Sequence, residues 1–435
     1  MSTSSLPTKT DVLIVGAGPI GTTVAITLLR NGAKDITIVD GSPEPSKIGS
    51  RAVVVHSRTL EVLKPMGITD TLLDRGIVSR AFTINTPTST LIPGNFGSLE
   101  SRPDVAFPHA LLISQCETEG YLNKKLEELG KKAFRPLKLV GLVEASDGSG
   151  LEALFESGEK IQAKYVIGAD GSHSNVRTLA QIGFHQPDHP EVDDISNKID
   201  PNTPPLIVCD VYLANPLPPS LSRTDIAIFF GIDGAVIIIP LPCDPNDSTK
   251  RPIYRIIAMV PQTRGEAPKN ADAAFIQSCV DRNTRFGPDK SAEHAIVESV
   301  VWTSRFRTRH GVADRFYKPF GKGGVFLMGD AAHIHSPAGG QGMNLGIREA
   351  VAVGEMLAPF VTEGKPKDEK LFEEQAVKRR KIAIDVINMT NGIVAAGSLQ
   401  GSFVRALRDW VMWFAGRISY FRSFAGFRLS GYYTG

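Results

Sequence analysis

Residues 11–40 read DVLIVGAGPIGTTVAITLLRNGAKDITIVD. Asp11 to Val15 is short, apolar and β-branched, the pattern of a parallel strand buried on both faces. Gly16-Ala-Gly18-Pro-Ile-Gly21 follows at once, and Thr22 to Arg30 carries helical spacing that stops before Asn31-Gly32. Ile36 to Val39 is a second strand and ends in Asp40, about 20 residues beyond the last glycine. Each position has a task in a dinucleotide site. Gly16 makes the tight turn, and Gly18 admits a pyrophosphate to the backbone. Gly21 lets helix and strand pack closely, and Asp40 accepts a hydrogen bond from a ribose 2′-hydroxyl. A lone G-x-G-x-x-G is weak. Strand, glycines, helix, strand and acid in register predict an adenine dinucleotide, and the acid favours FAD or NAD over a 2′-phosphorylated cofactor.

Two later stretches repeat the form of apolar strand, Asp-bearing turn and helix. Lys160 to Ile167 runs into Gly168-Ala-Asp170-Gly171-Ser-His-Ser174-Asn-Val-Arg177. Residues 323–344, GGVFLMGDAAHIHSPAGGQGMN, pass from a strand at Val325–Met328 through Gly329-Asp330 to a helix opening near Met343. A carboxylate at the mouth of a sheet stands beside a ligand hydroxyl. Gly339, Gly340 and Gly342 let backbone approach a flat ligand, and the helix start near Asn344 aims free N–H groups at negative charge. Gln115 stands at a strand-to-helix junction, where ligands gather in open α/β sheets. Arg51 lies in a loop close in sequence to the nucleotide site. His333 and His335 flank the Gly-Asp turn without a third metal ligand, so they read as loop hydrogen-bond partners.

The chain has 435 residues, too long for one ordinary core, so two domains are expected. A 42% hydrophobic and 22% charged composition fits a soluble globular protein, and a net charge of +2 gives no case for nucleic acid. Cys116, Cys209, Cys243 and Cys279 are scattered, which argues against a zinc site or a disulfide framework and suits a reducing compartment such as the cytoplasm. The N-terminus is polar and does not read as a secretory signal. The most apolar run, Ile226 to Leu241, is interrupted by Asp233 and Pro240 and does not read as a membrane span.

The fold expected is α/β: a Rossmann-type dinucleotide-binding domain assembled from residues 1–83, 104–183 and 308–395. Strand patterns in 184–307, with a hairpin-like excursion at 84–103, predict an antiparallel-sheet substrate domain. Tyr212, Phe229, Phe230 and Tyr254 lie on its strands as candidate pocket-lining residues. No arginine stands out on those apolar strands, which favours an uncharged or partly hydrophobic substrate. Residues 396–435 form a helical tail with Phe403, Leu407, Trp410, Phe414, Ile418, Phe421 and Phe424 at helical spacing. Arg405, Arg408, Arg417, Arg422 and Arg428 interleave with them. Such a helix either packs on the body with snorkelling arginines, touches a membrane, or forms a homodimer face.

The GAGPIG turn with Asp40, the ADGSHSNVR segment and the GDAAHIHSPAGGQGMN segment together resemble the class A flavoprotein monooxygenases. This is the aromatic hydroxylase family typified by 4-hydroxybenzoate hydroxylase and phenol hydroxylase. The resemblance covers nearly all of residues 11–360. It implies that Gly16, Gly18, Gly21 and Asp40 hold the ADP half of FAD. Arg51 would contact the flavin, Gln115 the phosphate and ribitol region, and Asp330 the ribitol. Asp170, Gly171 and Arg177 would serve both FAD and a passing NADPH or NADH. Gly342, Met343 and Asn344 would meet the isoalloxazine, and Pro337 would place a carbonyl near the oxygen-transfer locus. The implied reaction passes through a flavin hydroperoxide that takes O₂ to a small phenolic substrate, which could be a 4-hydroxybenzoate that loses its carboxyl group. A second strand-GxGxxG-helix unit is missing, in keeping with a nicotinamide that has no Rossmann site of its own. Larger phenol hydroxylase relatives carry a thioredoxin-like domain where about forty residues stand here, so oligomerisation is expected to differ. Two other classes stay open: a flavin oxidoreductase without aromatic hydroxylation, and a flavin-binding protein without turnover.

Overall fold

The computed structural model describes residues 6–45, 52–100, 102–187, 204–218, 221–244, 247, 250–284, 295–307, 309–399 and 401–432. Its first sheet is built around four parallel strands: Ile36–Val39, Lys9–Val15, Lys160–Gly168 and Gly323–Leu327, in that spatial order. Val12–Val15, Ile36–Val39 and Gly323–Leu327 are buried throughout, as a sheet covered on both faces requires. Register decides what happens at their ends. Val15 lies beside Val39 and Gly168, and Gly168 beside Leu327. The turns that begin at Gly16, Asp40, Ala169 and Met328 therefore leave from one edge of one sheet. Segments more than 300 residues apart in sequence meet there.

A hairpin, Leu139–Glu144 with Leu151–Phe155, continues antiparallel onto the start of Lys160–Gly168. Pro19–Arg30 packs against the long helix Gly342–Thr362 over the parallel strands. The two apolar layers on either side of the sheet form separate cores, one around Ile14 and Ile38, the other around Leu13 and Val166.

The second sheet has seven strands in the order Val297–Phe306, Leu206–Leu213, Ile253–Met259, Ala235–Leu241, Ile226–Phe230, Ala81–Asn85, Thr90–Asn95. Neighbours run antiparallel except Ile226–Phe230 and Ala81–Asn85, which are parallel. The excursion read at 84–103 enters this sheet three residues earlier, at Ala81. Side chains alternate between faces. Ala227, Phe229, Val236, Ile238, Tyr254 and Ile256 pack into a core with the helix Ala273–Asn283. The other face looks toward the dinucleotide lobe. Ile226 to Leu241 is thus two strands and a turn, and among the described residues no helix is long and apolar enough to cross a membrane.

Glu369–Ser398 is a 30-residue helix, opened by Asp368, whose side chain accepts from the Leu371 N–H. The tail folds as two helices, Ser402–Ala415 and Ser419–Ser430. Both lie along Thr90–Asn95, the edge of the second sheet. Close approach is possible because the contact points are glycines: a Cβ on Gly416 would sit 2.0 Å from the Leu91 carbonyl oxygen.

Candidate active site

The three fingerprint glycines do different physical work. Gly16 has φ +104°, and a Cβ there would stand 2.2 Å from the Ala169 carbonyl oxygen. A Cβ on Gly21 would stand 1.8 Å from the Gly16 carbonyl oxygen. Both positions are closed by protein. A Cβ on Gly18 meets nothing within 4 Å. Its open side faces a groove of about 510 Å³ that runs past Gly16, Asp40, Gln115, Asp170, Gly171, Asp330 and Met343. A backbone bare on the groove side, at the start of a helix, suits a pyrophosphate. The fit to FAD rests on that cradle and on the acids spaced along the groove.

Asp40 is held in place on the groove. Its carboxylate accepts from the Ala17 N–H and the Ser42 N–H, each at 2.7 Å. Arg135 pairs with it at 3.0 Å and also donates to the Ala17 carbonyl at 3.2 Å. Nothing in the sequence pointed to Arg135, which arrives from a loop 95 residues later. Gln115 opens the helix Gln115–Glu128, capped by Ser114. Its Nε2 donates to Glu119 at 2.6 Å, and its Oε1 accepts from the Ala52 N–H at 3.3 Å. Glu119 also lines the groove. Burial pushes its carboxyl above the usual carboxylate range, against the opposing hydrogen bond from Gln115.

The second loop is organised by its own acid. Asp170 accepts from the Ser174 hydroxyl at 2.5 Å and from the N–H groups of Asn175 at 2.7 Å and Val176 at 3.1 Å. Burial pushes its pKa up. Arg177 is 3% exposed and does not line the groove. Its guanidinium donates to the carbonyls of Ala331 at 2.8 Å and Ser172 at 2.9 Å, and stacks 4.1 Å over Phe184. Arg177 therefore ties the second loop to the third.

In the third loop, Asp330 is exposed and stands where the groove meets a second pocket of about 380 Å³. That pocket is lined by Arg305, Arg307, Arg309, His173, His335 and Gly342. Met343 lines the groove. Asn344 does not, because its amide is engaged by backbone. It accepts from the His56 N–H at 2.8 Å and donates to the carbonyls of Val54 at 2.8 Å and Gly340 at 2.6 Å. The His56 Nε2 holds the Gly339 carbonyl at 2.8 Å, so His56 and Asn344 together set the glycine loop. Burial drives the His56 pKa down to about 4. Beneath the loop, His333 contacts both Glu349 oxygens at 2.9 and 3.0 Å, and Glu349 also accepts from the Gly329 N–H. Burial opposes a charge on His333, but Glu349 outweighs it and the pKa rises. The two histidines act as loop partners, and among the described residues no group of His, Cys, Asp and Glu could hold a metal.

Beyond the loop is a third cavity of about 400 Å³, almost wholly apolar. Pro337, Ala338 and Gly339 form one side; Ile228, Phe230, Ile237, Ile257 and Met259 form the sheet side. Phe230 is the one of the four aromatic candidates that lines it. Phe229 and Tyr254 point to the other face of their strands and are core, by the alternation of side chains. Tyr212 shares the cavity face with Leu206 but lies six residues along the strand, ~20 Å away. Its hydroxyl meets Asp247 at 3.3 Å and Arg251 stacks over its ring. The expectation that the strands carry no arginine fails at Arg255, which is 1% exposed on Ile253–Met259. Asp210 neutralises it through contacts of 2.5 and 2.7 Å, so the cavity stays apolar. Arg51 lies outside the described residues.

A family model described as an FAD binding domain matches residues 9–390. An uncharacterised aromatic compound monooxygenase of Bacillus subtilis is 30% identical over 367 residues, covering 82% of this chain and 63% of the relative. Pentachlorophenol 4-monooxygenase of Sphingobium chlorophenolicum is 28% identical over 390 residues, covering 88% of this chain and 64% of the relative. The chain thus spans less than two thirds of the length of these relatives. The crystal structure of p-nitrophenol 4-monooxygenase from Pseudomonas putida has a TM-score of 0.76 at 20% identity, covering 98% of this chain and 100% of that one, which speaks for the fold. The chain belongs to the FAD binding domain family, with the class A flavoprotein monooxygenases.

Proposed function

We propose that this protein is an FAD-dependent monooxygenase that uses NADPH or NADH and O₂ to hydroxylate a small, largely apolar phenolic substrate. The observation that carries this reading is the apolar cavity walled by Pro337, Ala338 and Gly339, which belong to the same loop that sets Asp330 and Met343 on the dinucleotide groove. FAD, when bound, supplies electron transfer from the nicotinamide and activation of O₂. The chain supplies place and charge. Gly18 and the helix behind it take the pyrophosphate, Asp40 with Arg135 takes the ADP ribose, and Asp330 takes the ribitol. The N-terminus of Gly342–Thr362 favours negative charge on a reduced ring. The Pro337 carbonyl would lie on the reacting side of that ring, and Arg51, by the family resemblance, would contact the flavin.

The pocket lined by Arg305, Arg307 and Arg309 adjoins the groove at Asp330 and suits the anionic pyrophosphate of a nicotinamide cofactor. Glu266 offsets part of that charge, since it pairs with Arg305 at 2.5 Å and Arg307 at 3.0 Å. The substrate cavity holds one cation among its described lining residues, Arg428. An uncharged phenol fits its walls better than a hydroxybenzoate, for which decarboxylating hydroxylation would be the chemistry. Apolar walls also exclude water from the reacting centre. None of the four cysteines forms a disulfide among the described residues, which suits a reducing compartment such as the cytoplasm.

The test is a panel of phenols and hydroxybenzoates, scored by NADPH and NADH oxidation and by product mass under ¹⁸O₂. A product carrying one atom of ¹⁸O supports the reading. Substrate turnover without added oxygen would replace it with a flavin oxidoreductase. A yellow protein that oxidises neither nucleotide with any of the panel would replace it with a flavin-binding protein.

A further inference from the structure

The helix Ser402–Ala415 is inside out. Arg405, Arg408, Asp409 and Met412 turn toward the protein, and Phe403, Leu407, Trp410, Val411 and Phe414 turn toward solvent. Phe403 is 79% exposed and Trp410 63%. A surface helix of a globular protein presents the opposite arrangement. The second tail helix extends the patch through Tyr420, Phe421 and Phe424. At about 200 Å² per aromatic side chain, the exposed apolar area is roughly 1,000 Å², above the ~300–600 Å² of the largest patch on a typical monomer.

We propose that the two tail helices dock on an anionic lipid surface and open the apolar cavity to it. Charge selects this occupant over a second copy of the chain. Residues 401–432 hold five arginines and one acid; Arg405 and Arg408 turn toward the protein, where Arg408 pairs with Asp409, so the rest of the tail, with exposed Arg417 and half-buried Arg422 and Arg428, carries positive charge only. A two-fold pairing would set that excess against itself, whereas an anionic membrane complements it. Two of the three tryptophans of the chain, Trp410 and Trp413, lie in the patch. Arg417 is exposed and stacks 4.0 Å over Trp413, so an apolar ring and a cation sit side by side, as at a headgroup boundary. The helices are amphipathic and too short to span, so they would lie in the interface plane. Phe424 links patch and cavity: it is 46% exposed and also lines the cavity beside Ala425 and Leu429. The substrate class this implies is an aromatic compound that partitions into lipid. The docking stands on the tail surface alone, and the substrate class rests on the role proposed above for the cavity.

The full-length holoenzyme is floated with vesicles of phosphatidylcholine alone and with about a third phosphatidylglycerol. Binding to the anionic vesicles is expected, with a blue shift of tryptophan emission, and at least tenfold weaker binding to the neutral ones. Trp410→Ser with Phe414→Ser should lower anionic binding at least tenfold while flavin absorbance and solution size stay as in the wild type. Arg417→Glu should weaken binding to anionic vesicles only. Absence of binding, equal binding to both compositions, or equal binding by the double variant would overturn the proposal. So would a wild-type dimer that the double variant splits into monomers.

Discussion

Replacing the fingerprint glycines one at a time separates a cofactor role from a folding role. Gly18→Ala adds a Cβ that meets no atom within 4 Å, at φ −76°, which any residue adopts. Alanine is a poorer N-cap than glycine by about 1 kcal/mol. The loss of unfolded-state freedom returns about 0.4–1 kcal/mol. The apoprotein should therefore keep its stability to within about 1 kcal/mol. The methyl group instead stands in the groove, where the pyrophosphate must reach the backbone. Losing one charge-assisted hydrogen bond of about 1.5–3 kcal/mol weakens FAD binding roughly 10- to 150-fold. Gly16→Ala behaves differently. Its Cβ would overlap the Ala169 carbonyl at 2.2 Å, and φ is +104°. Strain of about 1–3 kcal/mol and overpacking of about 1–3 kcal/mol add, out of a total stability of about 5–15 kcal/mol. Gly21→Ala should resemble Gly16→Ala, since its Cβ would lie 1.8 Å from the Gly16 carbonyl oxygen. Urea unfolding of the apoproteins and FAD fluorescence titration measure the two quantities. The reasoning fails if Gly18→Ala destabilises the apoprotein as much as Gly16→Ala, or binds FAD with wild-type affinity.

Three further outcomes can be checked directly. Asp330→Ala should give protein with a wild-type circular dichroism spectrum but no bound flavin, because Asp330 is exposed on the groove; retained yellow colour would contradict its assignment to the ribitol. Ile237→Arg puts a charge into the apolar cavity at a cost of about 2–3 kcal/mol, so KM for an uncharged phenol should rise roughly 30- to 150-fold with flavin content unchanged; an unchanged KM would move the substrate elsewhere. His56 has a folded pKa of about 4 against an ordinary 6.5, so the unfolded chain takes up its proton first. The stability of neutral His56 is complete above pH 6.5 and is lost as pH falls toward 4, by roughly 3 kcal/mol at 1.36 per unit. His335, also lowered to about 4, first by burial and then by His333, acts in the same direction. Urea unfolding across this window should show the decline, and His56→Gln should flatten it; a slope unchanged in the variant would refute the assignment.

The dinucleotide fingerprint was legible because its signals are local. A buried strand, a glycine turn and a helix are each specified within a dozen residues, and the structure places Gly16, Gly18 and Asp40 on one groove. The family resemblance implies Asn344 and Arg177 as cofactor contacts; the structure adds which protein groups their side chains bond. Which backbone groups a side chain bonds depends on which chain segment lies opposite. For Asn344 that segment is Val54 to His56, and for Arg177 it is Ala331. No spacing rule connects Arg135 to Asp40, whereas Glu119 stands four residues after Gln115 on one helix, the spacing at which side chains meet.

What the sequence determined by itself was the family, the parallel sheet with its three Asp-bearing turns, and an aromatic, basic tail. Strand faces, pairing order and the direction of the tail helices were decided only by tertiary contacts. Phe229 and Phe230 are chemically identical neighbours, yet one is core and the other lines the cavity, because strand alternation is absolute but its phase is set by what packs on each face. The tail shows the same division. Its periodicity dictates a two-faced helix, and the edge strand Thr90–Asn95 decides that the apolar face is the one left outside.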